Sequence, residues 1–214
     1  VRPRRLRCWP CPGAWLVAVG LRNGARLMIS RGYVLAGQGS GPACPQLLML
    51  GLGILSVGVA AFAVFSQDDL KRKLAYSSCE NVGVVALCLG FGGPLGVAAA
   101  LLHCIMHGFT KAFLFCLSGN VLMKYGTRDL NKISGILKVA PVTGVLLAIG
   151  LFALACFPPF AMFISAVMAL VARTVSGNTA SAVVFALERT VVIAAPVGVA
   201  TRTGRGPPTE GQRK

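Results

Sequence analysis

Long apolar stretches, each ended by a short polar segment or a turn, set the pattern of this chain. Residues 47–66 carry no charge, and a second apolar stretch, 74–91, ends at a Gly-Gly-Pro turn. A third stretch, 97–122, contains a single lysine, and a fourth covers residues 139–172. Because an apolar α-helix of about 20 residues crosses the hydrocarbon core of a bilayer, the pattern predicts a membrane-spanning helix in each stretch.

The fourth stretch is longer than one straight crossing needs, and it contains Pro158-Pro159. Proline removes a backbone donor and clashes with the preceding turn, so we expect this helix to kink or unwind there. A membrane tolerates such a break where it faces protein or a water-filled cavity. We expect a fifth span at 181–200, within a divergent C-terminal region, 173–214, that ends in a basic tail. Residues 1–46 show no legible pattern.

Composition supports a membrane protein. Hydrophobic residues make up 55% of the chain and charged residues 13%, against roughly 25% charged in soluble domains. The formal net charge is +15, but the basic residues lie in separate segments between apolar stretches, so we expect no nucleic-acid partner. The sequence therefore predicts an all-α, polytopic transmembrane helix bundle with one proline-broken helix, whose surroundings are a lipid bilayer.

The loops indicate how the bundle lies in the membrane. If the spans alternate, the polar segments 67–73 and 124–138 lie on one side, and both are basic. The turn at 92–94, on the other side, is uncharged, as the positive-inside rule requires. The arginines near the N-terminus break this rule. Because residue 1 is Val and not Met, we expect the chain to be a fragment or a processed product.

Other site chemistry is sparse. One Cys-x-x-Cys pair, Cys8 and Cys11, has no second pair to complete a zinc site, and cysteines in apolar stretches behave as small hydrophobic residues. No nucleotide-binding glycine pattern or Ser/His/Asp set is present. We therefore predict no catalytic residue, no metal and no cofactor.

The third apolar stretch carries the residues of greatest interest. His103, His107 and Lys111 follow one another at four-residue spacing, so they form one stripe along a helix, rising about 6 Å per step. Ionisable groups inside a membrane are costly and typically mark an ion path or proton relay. The alternative is a purely structural role, in which these side chains form hydrogen bonds to adjacent helices. A zinc site at the two histidines is a less favoured alternative, because Lys111 repels a metal.

A buried carboxylate can join this stripe. Glu80 lies about 9 Å inside the basic-side end of the second span, and Lys111 lies at about the same depth in the third. We therefore expect a Glu80–Lys111 pair and count Glu80 with the proton relay; a helix-end carboxylate that reaches its interface is the alternative. Glu188 and Arg189 are adjacent and cannot share one helix face, so we assign them no role.

Three segments, in this order, resemble a known family. They are Asp69-Leu-Lys-Arg-Lys-Leu-Ala-Tyr-Ser-Ser78, the His103/His107/Lys111 span, and Phe157-Pro-Pro-Phe-Ala-Met-Phe-Ile-Ser165. Together they resemble the proton-conducting, antiporter-like subunits of respiratory complex I over about residues 51–170. Glu80-Asn81 and the glycine-proline turn are most similar to the hydrogenase-4 and formate hydrogenlyase F-type branch.

The resemblance implies a membrane subunit that moves protons but is not itself catalytic. Partner subunits, some in the membrane and some peripheral, would carry the redox chemistry of a hydrogenase or NADH-quinone oxidoreductase type of complex in a prokaryotic inner membrane. The histidine–lysine helix would belong to a hydrated polar axis. The broken helix would supply a further relay residue, but Ala166 stands where the family has Lys or Glu.

Two alternatives remain at this point. The first is a subunit of an Mrp-type cation/proton antiporter, which has no redox partner. The second is a non-functional or scaffolding remnant, which Ala166 and the unusual termini favour.

Overall fold

The computed structural model of the chain describes residues 30–35, 37–39, 41, 43–175 and 179–204. Its named helices are α1 (Ala43–Ser66), α2 (Leu70–Phe91), α3 (Gly93–Tyr125), α4 (Ile136–Val139), α5 (Pro141–Leu154), α6 (Ala161–Val175) and α7 (Thr179–Gly204). Within these ranges the fold is helical and contains no strand, which confirms the all-α prediction. The predictions for the Cys8/Cys11 pair and the basic tail lie outside the described residues.

Three helices, α1 to α3, are long and apolar enough to cross a membrane. They contain the stretches 47–66, 74–91 and 97–122, and each extends a few residues beyond them. Helices α5 and α6 are shorter and apolar. Helix α7 contains the stretch in which we expected a fifth span.

The predicted helix break is present. Helix α5 ends at Leu154 and α6 begins at Ala161. Between them the chain unwinds through Pro158 and Pro159, and Cys156 adopts a positive φ of 55°. The unwound segment interrupts what would otherwise be one long apolar helix, as expected from the missing proline donor.

The two basic loops pair with each other at one end of the bundle. The Leu70 amide donates to the Arg128 carbonyl at 3.0 Å, and the Leu130 amide donates to the Asp68 carbonyl at 2.8 Å. These two bonds join the loop before α2 to the loop after α3, which confirms that both basic segments lie on the same side. We call this end of the molecule the basic side.

Local signals fix the helix ends at the basic side. The Asp69 carboxylate caps α2 by accepting from the amides of Lys71 and Arg72, and α3 ends at the left-handed Gly126, as C-terminal glycines often do. Near the end of α7, Val199 packs in the hydrophobic cluster that contains Leu70. The C-terminal end of α7 therefore returns to the basic side.

Helices α1 and α2 approach closely through glycines. A Cβ added at Gly83 would lie 2.8 Å from a methyl carbon of Val57, and one added at Gly53 would lie 2.7 Å from the Leu87 side chain. The opposite face of α1 exposes large apolar side chains, among them Leu47, Leu55, Val59 and Phe62. In a membrane this exposed face can contact lipid, and the glycine-containing face of α1 that packs on α2 separates α2 from lipid on that side.

Candidate functional site

The histidine–lysine stripe of α3 lies inside the bundle and not against lipid. His103, His107 and Lys111 are 1%, 0% and 1% exposed. The two imidazole rings are parallel to within 6°, with centroids 6.2 Å apart. Three ionisable side chains in a row are thus held in a protein interior, where charge is stabilised only by polar neighbours.

Polar neighbours of His103 come from two other helices. Its Nε2 lies 2.9 Å from Oδ1 of Asn81 on α2, and its Nδ1 lies 2.9 Å from Oγ of Ser165 on α6. The Asn81 amide nitrogen donates to the Ser77 carbonyl at 2.7 Å. This bond orients the amide so that its oxygen faces the imidazole, and His103 must therefore carry a hydrogen on Nε2.

Ser165 completes the proton arrangement around His103. Its Oγ lies 2.8 Å from the carbonyl of Met162 and 2.9 Å from Nδ1 of the imidazole. A hydroxyl has one hydrogen, so it donates to Nδ1 when His103 is neutral. When His103 is cationic, Nδ1–H donates to Oγ and the hydroxyl donates to Met162. Rotation of one hydroxyl therefore lets the imidazole gain or lose a proton without leaving a ring nitrogen unpaired.

Lys111 contacts the first turns of α2. Its ammonium donates to the carbonyl of Leu74 and to the hydroxyl of Ser77. Ser77 also lines a small cavity with Glu80 and Lys73. The cavity has a volume of about 20 Å³, which is room for one water molecule. The lysine is therefore bonded to a hydroxyl that a water can reach.

The contacts with α2 show how deep each group lies. Lys111 meets Leu74, about 8 Å along the helix from the Asp69 cap, and His103 meets Asn81, about 18 Å from it. In a hydrocarbon core of about 30 Å, the stripe runs from near the basic side to the middle of the membrane. Ser165 of α6 meets His103 at this depth.

Glu80 is buried, 2% exposed, and its direct partner in the structure is Arg189 of α7. Arg189 Nη2 lies 3.0 Å from Glu80 Oε1. We assigned Arg189 no role from the sequence; in the structure its side chain points into the bundle and meets a residue 109 positions away in sequence. Lys111 donates to Ser77, which lines a cavity with Glu80, and a direct Glu80–Lys111 pair stays a prediction.

Sequence reasoning missed the partners that surround the stripe. Ser77 and Asn81 are four residues apart on α2, the spacing that places two side chains on one helix face, and this signal was available. Ser165 ends the Phe157–Ser165 segment that resembles the family, but it carries no charge, and it was not assigned a role. Arg189 gives no local signal, because its partner lies far away in the sequence.

Metal binding is not favoured by this geometry. Both ring nitrogens of His103 are engaged by hydrogen bonds, which leaves no free lone pair to ligate zinc. Within residues 43–175 and 179–204 no group of three or more metal-ligating side chains occurs. The cysteines in these ranges are free thiols; they are Cys44, Cys79, Cys88, Cys104, Cys116 and Cys156.

Comparison with known proteins places this geometry in context. Residues 8–192 match the family described as NADH:quinone oxidoreductase/Mrp antiporter, transmembrane. The hydrogenase-4 component F homolog of Methylacidiphilum infernorum (isolate V4) is 36% identical over 123 residues, which cover 58% of this chain and 26% of that protein. The chain thus spans about a quarter of that relative.

Solved structures share the fold. A chain of the Mrp complex from Dietzia sp. DQ12-45-1b aligns with a TM-score of 0.77 at 22% identity, over 86% of this chain and 35% of that one. A chain of respiratory complex I from Thermus thermophilus with bound NADH aligns with a TM-score of 0.71 at 26% identity, over 78% and 36%. The first likeness, at its low identity, concerns the fold alone.

Proposed function

Because the chain belongs to the NADH:quinone oxidoreductase/Mrp antiporter family, and is an integral membrane protein, we propose that it is the proton-conducting segment of a larger membrane subunit. Protons pass along His103, His107 and Lys111, and Glu80 is the buried carboxylate of the same site. Helix α6, which follows the break at Pro158 and Pro159, contributes the hydroxyl of Ser165 at the inner end of this path.

One observation carries the proposal. Three ionisable side chains of α3 are buried in the bundle, and the outermost and innermost of them, Lys111 and His103, bond to polar groups of α2 and α6. Ionisable residues inside a membrane are expensive, and they are typically functional. A purely structural stripe would need hydrogen bonds, but it would not need three groups that titrate.

The arrangement suggests what each residue does. Lys111, near the basic side, holds a proton beside the hydroxyl of Ser77, and His107 and His103 pass it toward the middle of the membrane. Steps of about 6 Å need bridging water molecules. Asn81 orients His103 and does not transfer protons, because its amide hydrogens stay on nitrogen. Ser165 changes its hydrogen bond as His103 gains or loses a proton.

The larger assembly is also part of the proposal. We place the chain in a complex of the hydrogenase-4 or complex I type, in a prokaryotic inner membrane, with other membrane and peripheral subunits as partners. The hydrogenase-4 component F relative and the complex I neighbour support this choice. The redox reaction belongs to those partners, and this chain contributes the proton path.

Ala166 bears on how the path continues. The residue after Ser165 carries no titratable group, so the broken helix contributes only its serine hydroxyl to the path proposed here. The next proton acceptor beyond His103 must then be water or a group of another segment.

The decisive experiment is Lys111→Met. In a full-length homologue with the same histidine–lysine spacing, reconstituted in vesicles with a pH-sensitive dye, we expect this variant to fold and to move no protons. The matched control is Lys124→Met, which removes an exposed lysine at the end of the same helix and should leave proton movement unchanged. Normal proton movement by Lys111→Met would refute the assignment.

Repeating the assay with a sodium gradient distinguishes a proton path from cation/proton exchange.

A further inference from the structure

An ion pair between Glu80 and Arg189 lies beside the histidine–lysine stripe, and neither residue belongs to the stripe. Arg189 of α7 and Glu80 of α2 are joined at 3.0 Å, and their side chains are 11% and 3% exposed. The pair links two helices across the bundle. Its position, about 17 Å along α2 from the Asp69 cap, is near the middle of the membrane.

The surroundings of Arg189 are almost entirely apolar. Its guanidinium carbon lies 5.8 Å from the ring centroid of Phe185, and Nη1 lies 4.0 Å from the sulfur of Cys156. The buried Nε has no hydrogen-bond partner among the described residues. Arg189 also borders an apolar cavity of about 200 Å³ that Ala166 lines from α6. Glu80 is therefore the charge partner that stabilises this cation.

The charges that face Glu80 come from three directions. Arg189 meets it from α7 at 3.0 Å. Lys111 of α3 donates to the hydroxyl of Ser77, and Ser77 lines the same small cavity as Glu80 and Lys73. Helices α1 and α5 carry no charged residue. The one cation of α6, Arg173, packs on the ring of Phe91, at the other end of α2.

Arg189 and Lys111 differ in whether they can release a proton. An arginine does not release its proton in a protein, whereas a buried lysine can. Protonation of Glu80 would leave the guanidinium without a counter-charge in apolar surroundings, and an uncompensated buried charge is strongly unfavourable. Lys111 can change its charge without removing the cation that Glu80 needs.

We propose that Arg189 is a positioning residue that holds Glu80 as a permanent anion beside Lys111, so that Glu80 shapes the electrostatics of the path and exchanges no proton itself. That Glu80 influences a proton path through Lys111 rests on the function proposed above. That Glu80 stays an anion does not, because its protonation can be measured without transport. Through this pair, α7 contributes Arg189 to the site.

Infrared spectroscopy of the full chain in detergent tests this. With isotope-labelled glutamate, the carbonyl band of a protonated carboxyl group is assigned to Glu80 when Glu80→Gln removes it. In the unmodified protein we expect no such band from mildly acidic to mildly alkaline pH. In Arg189→Gln we expect the band to appear, and in Arg189→Lys we expect it to be absent again at neutral pH.

Arg173→Gln is the matched control, since it removes a cation that does not face Glu80, and it should show no band. A band assigned to Glu80 in the unmodified protein would overturn the proposal, and so would its absence from a folded Arg189→Gln variant. If Arg189→Gln does not fold, the spectra of the unmodified protein and of Glu80→Gln still test whether Glu80 is a permanent anion, which the proposal requires. None of these readings depends on proton flux, so failure here and failure of the proposed function are distinguishable.

Discussion

The orientation of one amide sets the tautomer of His103, and Asn81→Leu should therefore change it. The amide of Asn81 accepts from Nε2 at 2.9 Å and donates to the Ser77 carbonyl at 2.7 Å. Leucine has nearly the same size but accepts no hydrogen bond. An imidazole that kept its hydrogen on Nε2 would then hold an unpaired donor in a site that is 1% exposed.

The size of the effect follows from the hydrogen bonds that each tautomer keeps. In the variant, Nε2 lacks a partner in either tautomer, as a donor in one and as an acceptor in the other. With its hydrogen on Nδ1, however, His103 donates to Ser165 Oγ, and the hydroxyl keeps its own bond to Met162. The Nδ1–H tautomer thus makes one more hydrogen bond, which is worth about 0.5–1.5 kcal/mol. We therefore expect neutral His103 to carry its hydrogen on Nε2 in the unmodified protein and on Nδ1 in the variant.

Nitrogen NMR of labelled imidazole measures this directly. The chain has only two histidines, so His107→Gln assigns the signals. The control is Asn120→Leu, the same substitution at an exposed position of α3, which should leave both signals in place. If His103 keeps its hydrogen on Nε2 in a folded Asn81→Leu variant, the amide does not control the tautomer and the reasoning is wrong.

Three further substitutions test the parts of the fold that hold the site. Ser165→Ala removes the hydroxyl that pairs with Nδ1 of His103, so it should lower the free energy of unfolding by about 1–3 kcal/mol and slow proton movement in reconstituted vesicles. Gly83→Val would force its side chain against Val57, whose methyl carbon lies 2.8 Å from an added Cβ. It should cost about 1–3 kcal/mol in denaturant unfolding. Asp69→Ala removes the cap of α2 and should cost about 1 kcal/mol in the same measurement.

Each of these has a control of the same chemistry. Ser118→Ala removes a hydroxyl that bonds only to its own helix among the contacts described, and it should not alter proton movement. Gly58→Val adds the same side chain where no atom lies within 4 Å of the added Cβ. Asp68→Ala removes an exposed carboxylate next to the cap. If a control variant has the same effect as the test variant it accompanies, the contact removed or strained in the test variant is not the cause of that effect.

Much of the fold could be predicted because it depends on local signals. Uninterrupted apolar length predicts α1 to α3, and two adjacent prolines predict the break between α5 and α6. The burial of the stripe follows from four-residue spacing, since His103, His107 and Lys111 must share one face of a helix. The pairing of the basic loops follows from the alternation of spans and the distribution of charge.

The partners of the stripe could not be predicted in the same way. Serines in membrane helices commonly bond to their own backbone, as Ser77 does with Leu74 and Ser165 with Met162. The residue type therefore does not reveal which hydroxyls also reach another helix. Arg189 stands next to an acidic residue and looked like half of an ineffective local pair. Its real partner depends on how α7 packs against the bundle, and that is tertiary information.

The backbone bonds between the two basic loops have a consequence for how the protein tolerates different lipids. They fasten the start of α2 to the end of α3, so the two helices cannot slide along each other at that end. A thicker or thinner bilayer is then accommodated by tilt of the joined helices together. The spacing between Lys111 and its acceptors on α2 should therefore stay constant across membranes of different thickness.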